Sequence, residues 1–138
     1  MATPPDYVPQ AAAIPVRAGR VCLVTSRNGK HWVIPKGCLE PGKTAGQIAL
    51  QEAWEEAGLV GVLKREPVGS YVYEKAGNWY HVTVFLLHVA EVARDYPEVG
   101  WRTRRWYSPA RTVRQVGEQG LRRLLRQLLA ADAAALPA

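Results

Sequence analysis

The sequence predicts an α/β fold in which a mixed β-sheet lies between helices, and three observations predict it. Apolar runs of strand length, separated by turn signals, occur on both sides of one central helical segment. That segment opens on a capping box at Thr44 and Gln47 and stops at Gly58. Near the end of the chain, leucines recur at helical spacing. Strands, a helix, more strands and a final helix is the order that packs a sheet between helical layers. At 138 residues the chain is one domain by length, large enough to bury about two-thirds of its unfolded surface.

Taken in order, Met1 to Gln10 holds Pro4, Pro5 and Pro9 and reads as a flexible N-terminal arm. A single domain is then expected over residues 11–130. Ala11–Val16 and Arg20–Ser26 read as strands joined at Ala18-Gly19. Asn28-Gly29 is a hairpin signal leading into the strand Trp32-Val33-Ile34, which Pro35 ends. Thr44 and Gln47 place the helix start near Ala45. Its apolar arc is Ala49, Leu50, Ala53, Trp54 and Ala57, with Trp54 read as a core residue. Gly69–Glu74 and Trp79–Ala90 are β-rich, with a hairpin between them at Lys75-Ala76-Gly77-Asn78. Tyr73, Trp79 and Tyr80 flank that turn and suit either sheet packing or stacking on a base. Arg104–Tyr107 is a last short strand. Leu121, Leu124, Leu125, Leu128 and Leu129 mark an amphipathic helix with Arg122, Arg123 and Arg126 on its wet face. Residues 131–138 read as a flexible tail.

The chemistry concentrates on the central helix. At about 100° per residue, Glu52, Glu55 and Glu56 fall at roughly 0°, −60° and +40° and share one face. None has a Lys or Arg four residues later, so the face carries modest like-charge repulsion. On most helices such a face is simply solvated. Here the chain is otherwise basic, with a net charge of +6, and a divalent cation bound through oxygen would turn the repulsion into a site.

Spacing sharpens this reading. Gly37, Glu52, Ala53, Glu55, Glu56, Gly58 and Leu59 fall in register with the box of the Nudix hydrolases, and Trp32-Val33-Ile34-Pro35-Lys36 resembles its usual lead-in. Glu40-Pro41 and Glu55-Glu56-Ala57-Gly58 further resemble the branch that hydrolyses diadenosine and diphosphoinositol polyphosphates. Two positions depart from the pattern. Lys43 stands where the family has its first Glu, and Gln51 where it has an Arg that pairs with and orients the catalytic carboxylates.

The resemblance implies a Nudix-like α/β/α sandwich that hydrolyses a pyrophosphate bond. Its substrate would be a nucleoside diphosphate derivative, a dinucleoside polyphosphate or an inositol pyrophosphate. It implies Mg²⁺, with Mn²⁺ able to substitute, held by Glu52, Glu55, Glu56 and the Gly37 carbonyl. Glu52, Glu55 and Glu56 are then the catalytic carboxylates. Glu98, in Asp95-Tyr96-Pro97-Glu98-Val99-Gly100, is the distal candidate for a general base or further ligand. For substrate phosphates the candidates are Lys36, Arg17, Arg27 and Arg105.

Two other functions fit parts of the sequence. Gln51 and Lys43 suit a catalytically silent Nudix domain that senses a nucleotide. The run Trp101-Arg102-Thr103-Arg104-Arg105-Trp106-Tyr107 interleaves arginines with aromatics, as nucleic-acid surfaces do, but it leaves the acidic face unexplained, so a nucleic-acid partner is not expected. The partner expected is a small phosphorylated molecule. His31, His81 and His88 lack metal-ligand spacing, and Cys22 and Cys38 form no disulfide framework. There is no membrane-length apolar run and no signal-peptide build at the N-terminus, which points to the cytoplasm. Nothing in the sequence sets an oligomeric state.

Overall fold

The computed structural model describes residues 6–131. Eight strands form one sheet: β1 (Tyr7–Arg17), β2 (Arg20–Thr25), β3 (Trp32–Val33), β4 (Lys36–Cys38), β5 (Leu59–Leu63), β6 (Gly69–Lys75), β7 (Asn78–Val92) and β8 (Arg104–Tyr107). Helix α1 (Ala45–Ala57) links β4 to β5, while α2 (Pro109–Gln115) and α3 (Gln119–Ala131) follow β8. The sheet runs β3-β2-β1-β7-β5, with β4 also paired to β1, β6 to β7 and β8 to β2. It is mixed because β1 and β7 are parallel from Tyr7↔Trp79 to Val16↔His88, whereas β1 pairs antiparallel with β2 and β4.

Side chains alternate across a strand, and β1 divides the interior by that rule. Ala11 and Ala13 face a core with Ile48, Ala49, Ala53 and Ala57 of α1. Ala12, Ile14 and Val16 face a second core with Leu121, Leu124 and Leu125 of α3. The sheet is therefore covered on both faces, as the sandwich expectation required. The apolar run from Ala11 to Val16 is continuous because both faces of this central strand are buried.

Four differences from the sequence reading stand out. Strand β1 starts at Tyr7, so Tyr7–Gln10 of the expected arm is paired with β7; a proline at position 9 does not prevent it. Asp6 precedes the strand and is exposed, while residues 1–5 of the arm and most of the expected tail lie outside the described residues. The short β4, the strand β5 and the helix α2 have no counterpart in the sequence reading, although Ser108 followed by Pro109 is a sound helix start: the Ser108 side chain accepts from the Arg111 N–H. Arg122 is not on the wet face; it is half-buried and donates to the Val116 carbonyl at 2.7 Å.

The fourth difference matters most for the site. Leu50 and Trp54 are both exposed on α1 (38%) while Glu56 is buried (6%). With Ala53 set at 0°, Ala49 and Ala57 lie at about −40° and +40°, Glu56 and Glu52 at about −60° and −100°, and Leu50 and Trp54 at about +60° and +100°. The helix is rolled toward its carboxylates. Trp54 is thus not a core residue, and Glu56 is packed against the sheet with Glu52 half-buried beside it. Among the described residues, no helix is long and apolar enough to cross a membrane.

Candidate active site

Helix α1 is held at both ends. The Thr44 hydroxyl accepts from the Gln47 N–H at 3.1 Å, and the Gln47 side chain accepts from the Thr44 N–H at 2.8 Å, reciprocal caps of the kind worth about 1 kcal/mol. At the other end Gly58 takes φ 65°, and its N–H closes onto Ala53 and Trp54 carbonyls. The Tyr96 ring lies against it: a Cβ at Gly58 would come within 2.3 Å of Tyr96 Cδ1. Arg104 also donates to the Ala57 carbonyl at 2.7 Å and to the Ala93 carbonyl at 2.9 Å. A cation at a helix C-terminus is favoured by the helix dipole.

This fixed helix sets its carboxylates against β4. Glu52 lies directly over Gly37, where a Cβ would stand 2.6 Å from Glu52 Cδ and 2.8 Å from Cγ. Glu56 Oε1 accepts from the Lys36 N–H at 3.3 Å. Its other oxygen is 3.5 Å from Arg102 Nη2. Glu98 arrives from the β7–β8 loop: its N–H donates to the Glu55 carbonyl at 2.9 Å, and Oε1 accepts from Arg102 Nε at 2.7 Å. Arg102 Nη1 completes the cluster by donating to the Thr25 carbonyl at 2.9 Å. The three box carboxylates and Glu98 are therefore gathered at one end of the helix–strand contact.

The electrostatics follow from this crowding. Burial is the main force pushing the Glu56 carboxyl up, to about 8, and the neighbouring Glu52 and Glu98 add to it. Arg102 and the Lys36 N–H pull the other way without prevailing, since one guanidinium is shared with Glu98 at the shorter distance. Glu52 is also raised, first by burial and then by Glu55. These acids are short of positive charge.

The two departures from the box pattern touch each other. Lys43 Nζ donates to Gln51 Oε1 at 2.5 Å, and Gln51 Nε2 donates to Glu40 at 3.1 Å and to Glu52 at 3.3 Å. Gln51 thus orients Glu52 with a neutral amide polarised by an ammonium.

Not every candidate is in the cluster. Gly37 on β4 pairs with Ala11 and points toward α1, so its neighbour Lys36 points to the opposite face of the sheet. There the Lys36 ammonium meets Glu118 at 3.5 Å and sits 5.1 Å from the Tyr73 ring centre. Tyr71 donates to Glu118 at 3.1 Å, Tyr73 donates to Gln10 at 2.7 Å, and Tyr73 stacks on Tyr80 with ring centres 4.8 Å apart. Arg17 is exposed at the end of β1 remote from its pairing with β4, and Arg27 is exposed in the β2–β3 connection. Arg105 is exposed on β8 with its guanidinium 5.9 Å from the Trp32 ring. Of the arginines that suggested nucleic-acid contact, Arg102 and Arg104 are committed inside the molecule. Sequence reasoning missed Arg102 as a site residue. The signal was its place four residues after Glu98, the spacing of a helical ion pair. Gln10 and Glu118 carried no such signal.

An oxygen-seeking cation suits the donor set. Glu52, Glu55 and Glu56 supply only carboxylate oxygens, and the missing side chain at Gly37 lets Glu52 approach the backbone. Among the described residues no three His, Cys, Asp or Glu side chains converge closely enough to hold a metal ion unaided. Mg²⁺ tolerates this, because it keeps several waters and takes one or two carboxylates.

The chain is also similar to known proteins. The family model described as NUDIX domain matches residues 6–128. Nudix hydrolase 12, mitochondrial, of Arabidopsis thaliana is 30% identical over 117 residues, covering 79% of this chain and 58% of the plant protein. Human diphosphoinositol polyphosphate phosphohydrolase 3-beta is 35% identical over 112 residues, covering 75% and 66%. The chain spans about half the length of the first curated relatives it matches (58%, 48% and 44%). Among solved structures, a NUDIX hydrolase from Nitrosomonas europaea superposes with TM-score 0.74 at 21% identity, over 91% of this chain and 90% of the other. An Ap4A hydrolase of C. elegans gives 0.73 at 20% identity, over 91% and 98%; at these identities the likeness is one of fold.

Proposed function

The chain belongs to the Nudix family, and from that premise we propose that it hydrolyses a pyrophosphate bond with the help of Mg²⁺, for which Mn²⁺ can substitute. The substrate class is a nucleoside diphosphate derivative, a dinucleoside polyphosphate or an inositol pyrophosphate, and the protein works in the cytoplasm. One observation carries the reading: Glu52, Glu56 and Glu98 are packed together beside Gly37 with a single guanidinium between the last two. A solvated acidic face would not bury a carboxylate whose pKa rises to about 8.

In this reading Glu52, Glu55 and Glu56, with the Gly37 carbonyl, hold the cation. When bound, such a cation would lend positive charge to phosphate oxygens and lower the pKa of a water. Glu98 accepts the proton of the attacking water, Gln51 and Lys43 fix Glu52, and Arg102 holds Glu56 and Glu98 apart from solvent. Arg27 and Arg105 are assigned to outer phosphates, with Arg17 more remote. Lys36 is assigned to a substrate group on the opposite sheet face, where it would exchange Glu118 for phosphate.

Phosphate release with Mg²⁺ across nucleotide sugars, dinucleoside polyphosphates and inositol pyrophosphates tests the proposal. Hydrolysis lost in Glu52→Gln and Glu56→Gln supports it. Tight nucleotide binding without turnover anywhere in the panel would replace it with the silent sensor that Gln51 allows.

A further inference from the structure

We propose that Arg102 is the positioning residue of this site, its guanidinium setting the orientation of both Glu56 and Glu98. This rests on the functional reading above, but the geometry stands apart from it. Each nitrogen of the fork faces a different oxygen: Nε donates to Glu98 at 2.7 Å and Nη1 to the Thr25 carbonyl at 2.9 Å, while Nη2 forms an ion pair with Glu56 at 3.5 Å. The side chain is only 9% exposed, so it has little room to swing. Thr25 ends β2, a strand in the middle of the sheet, and the same residue accepts through its hydroxyl from the Thr103 N–H at 3.0 Å. Arg102 is therefore referenced to the sheet, and it transmits that reference to a helix carboxylate and a loop carboxylate at once.

Gln51 cannot do this work. Its amide reaches Glu40 and Glu52, the other end of the acidic face. The two ends of the face are thus oriented by different elements, Glu52 by a residue of α1 and Glu56 by a residue of the β7–β8 loop. A planar fork is suited to holding two acceptors in fixed directions, where an ammonium offers only a point charge.

The alternative is that Arg102 is a plain counter-ion for buried acids, and the two roles predict opposite responses to Mg²⁺. Removing a counter-ion takes one competing cation out of the site and tightens Mg²⁺ binding. Removing a positioning residue lets Glu56 and Glu98 turn and weakens it. The experiment compares wild type with Arg102→Gln and Arg102→Lys, reading Mg²⁺ affinity from the rise in melting temperature without substrate, and kcat and KM at saturating Mg²⁺. We expect Arg102→Gln to weaken Mg²⁺ by roughly 10- to 100-fold, and to lower kcat by about tenfold or more with KM within about twofold. The Lys variant keeps the charge, loses the fork and falls between. It also serves as the folded test if the Gln variant does not fold. Unchanged or tighter Mg²⁺ binding in the Gln variant, or wild-type values throughout in the Lys variant, overturns the proposal. If wild type itself hydrolyses nothing in the panel, the functional reading fails, while the Mg²⁺ melting comparison still decides the role of Arg102.

Discussion

At Glu56, burial competes directly with charge. The carboxyl is held near 8 by desolvation, with Arg102 only partly offsetting it, and this has a definite sign in stability. Between the ordinary carboxyl value near 4.5 and about 8, the unfolded chain gives up a proton that the folded chain keeps. Folded-state stability without metal therefore falls as pH rises through that window, and levels off above it. Glu56→Gln has no proton to lose there. Its melting temperature relative to wild type should climb steadily from pH 5 to pH 8 in chelator; a constant difference would mean that Glu56 titrates alike in both states. Gly37 offers a second test. Its φ lies outside the left-handed region, so Gly37→Ala strains no backbone, and the nearest atoms to the added methyl are Cδ, Cγ and Oε1 of the Glu52 side chain. The expected result is a folded protein, within about 1 kcal/mol of wild type as for changes that displace only a flexible side chain. Its hydrolysis should fall by roughly tenfold or more through the misplaced carboxylate. Circular dichroism with a phosphate-release assay reads both.

Two hairpins close on turns whose first residue is an alanine in the left-handed region, Ala18 at φ 50° and Ala76 at φ 52°, each followed by a glycine at positive φ. That conformation costs an L-residue roughly 1–2 kcal/mol but suits Asn. Ala76→Asn should therefore stabilise the protein by about 1 kcal/mol, seen as a higher denaturant midpoint at unchanged slope; no gain would mean the Asn side chain finds no local partner. These turns, the capped helix α1 and the last strand at Arg104–Tyr107 were legible because their signals are local: a dipeptide, a capping box, a β-rich run. The short β4 was not, because its three residues become a strand only through their pairing with Gln10, Ala11 and Ala12. The same limit explains the site. Register along α1 identified Glu52, Glu55 and Glu56, but a helical wheel cannot say which way the helix rolls. Burying Ala49, Ala53 and Ala57 admits either flank, and the choice that buries Glu56 and exposes Leu50 and Trp54 is made by Arg102 and β4. The opposed directions of Lys36 and Gly37 follow from strand alternation, once β4 is known to be a strand.

Across the whole molecule, the net charge of +6 and a locally acidic site oppose each other, and a cation joins the two scales. Without metal the acids around Gly37 share one guanidinium, and proton uptake by Glu56 relieves them. Under the proposed function the same charges would become ligands, and Mg²⁺ and the proton would compete for the folded state. A ligand that binds only the folded chain stabilises it by about 2.7 kcal/mol when present at about 100 times its dissociation constant. For a domain of this size that is roughly 8–10 °C in melting temperature. The gain should shrink as pH falls from 8 toward 5, because Glu56 must lose its proton before it can bind a metal. Glu56→Gln should show a smaller gain with little dependence on pH. Melting curves for both proteins, with and without Mg²⁺ at pH 5, 6.5 and 8, measure every part of this. Equal responses in wild type and variant would leave the acidic face as a buried structural feature with no metal to hold. A wild-type gain that grows with pH while the variant stays flat would identify Glu56 as the residue through which proton and metal are linked to the stability of the whole fold.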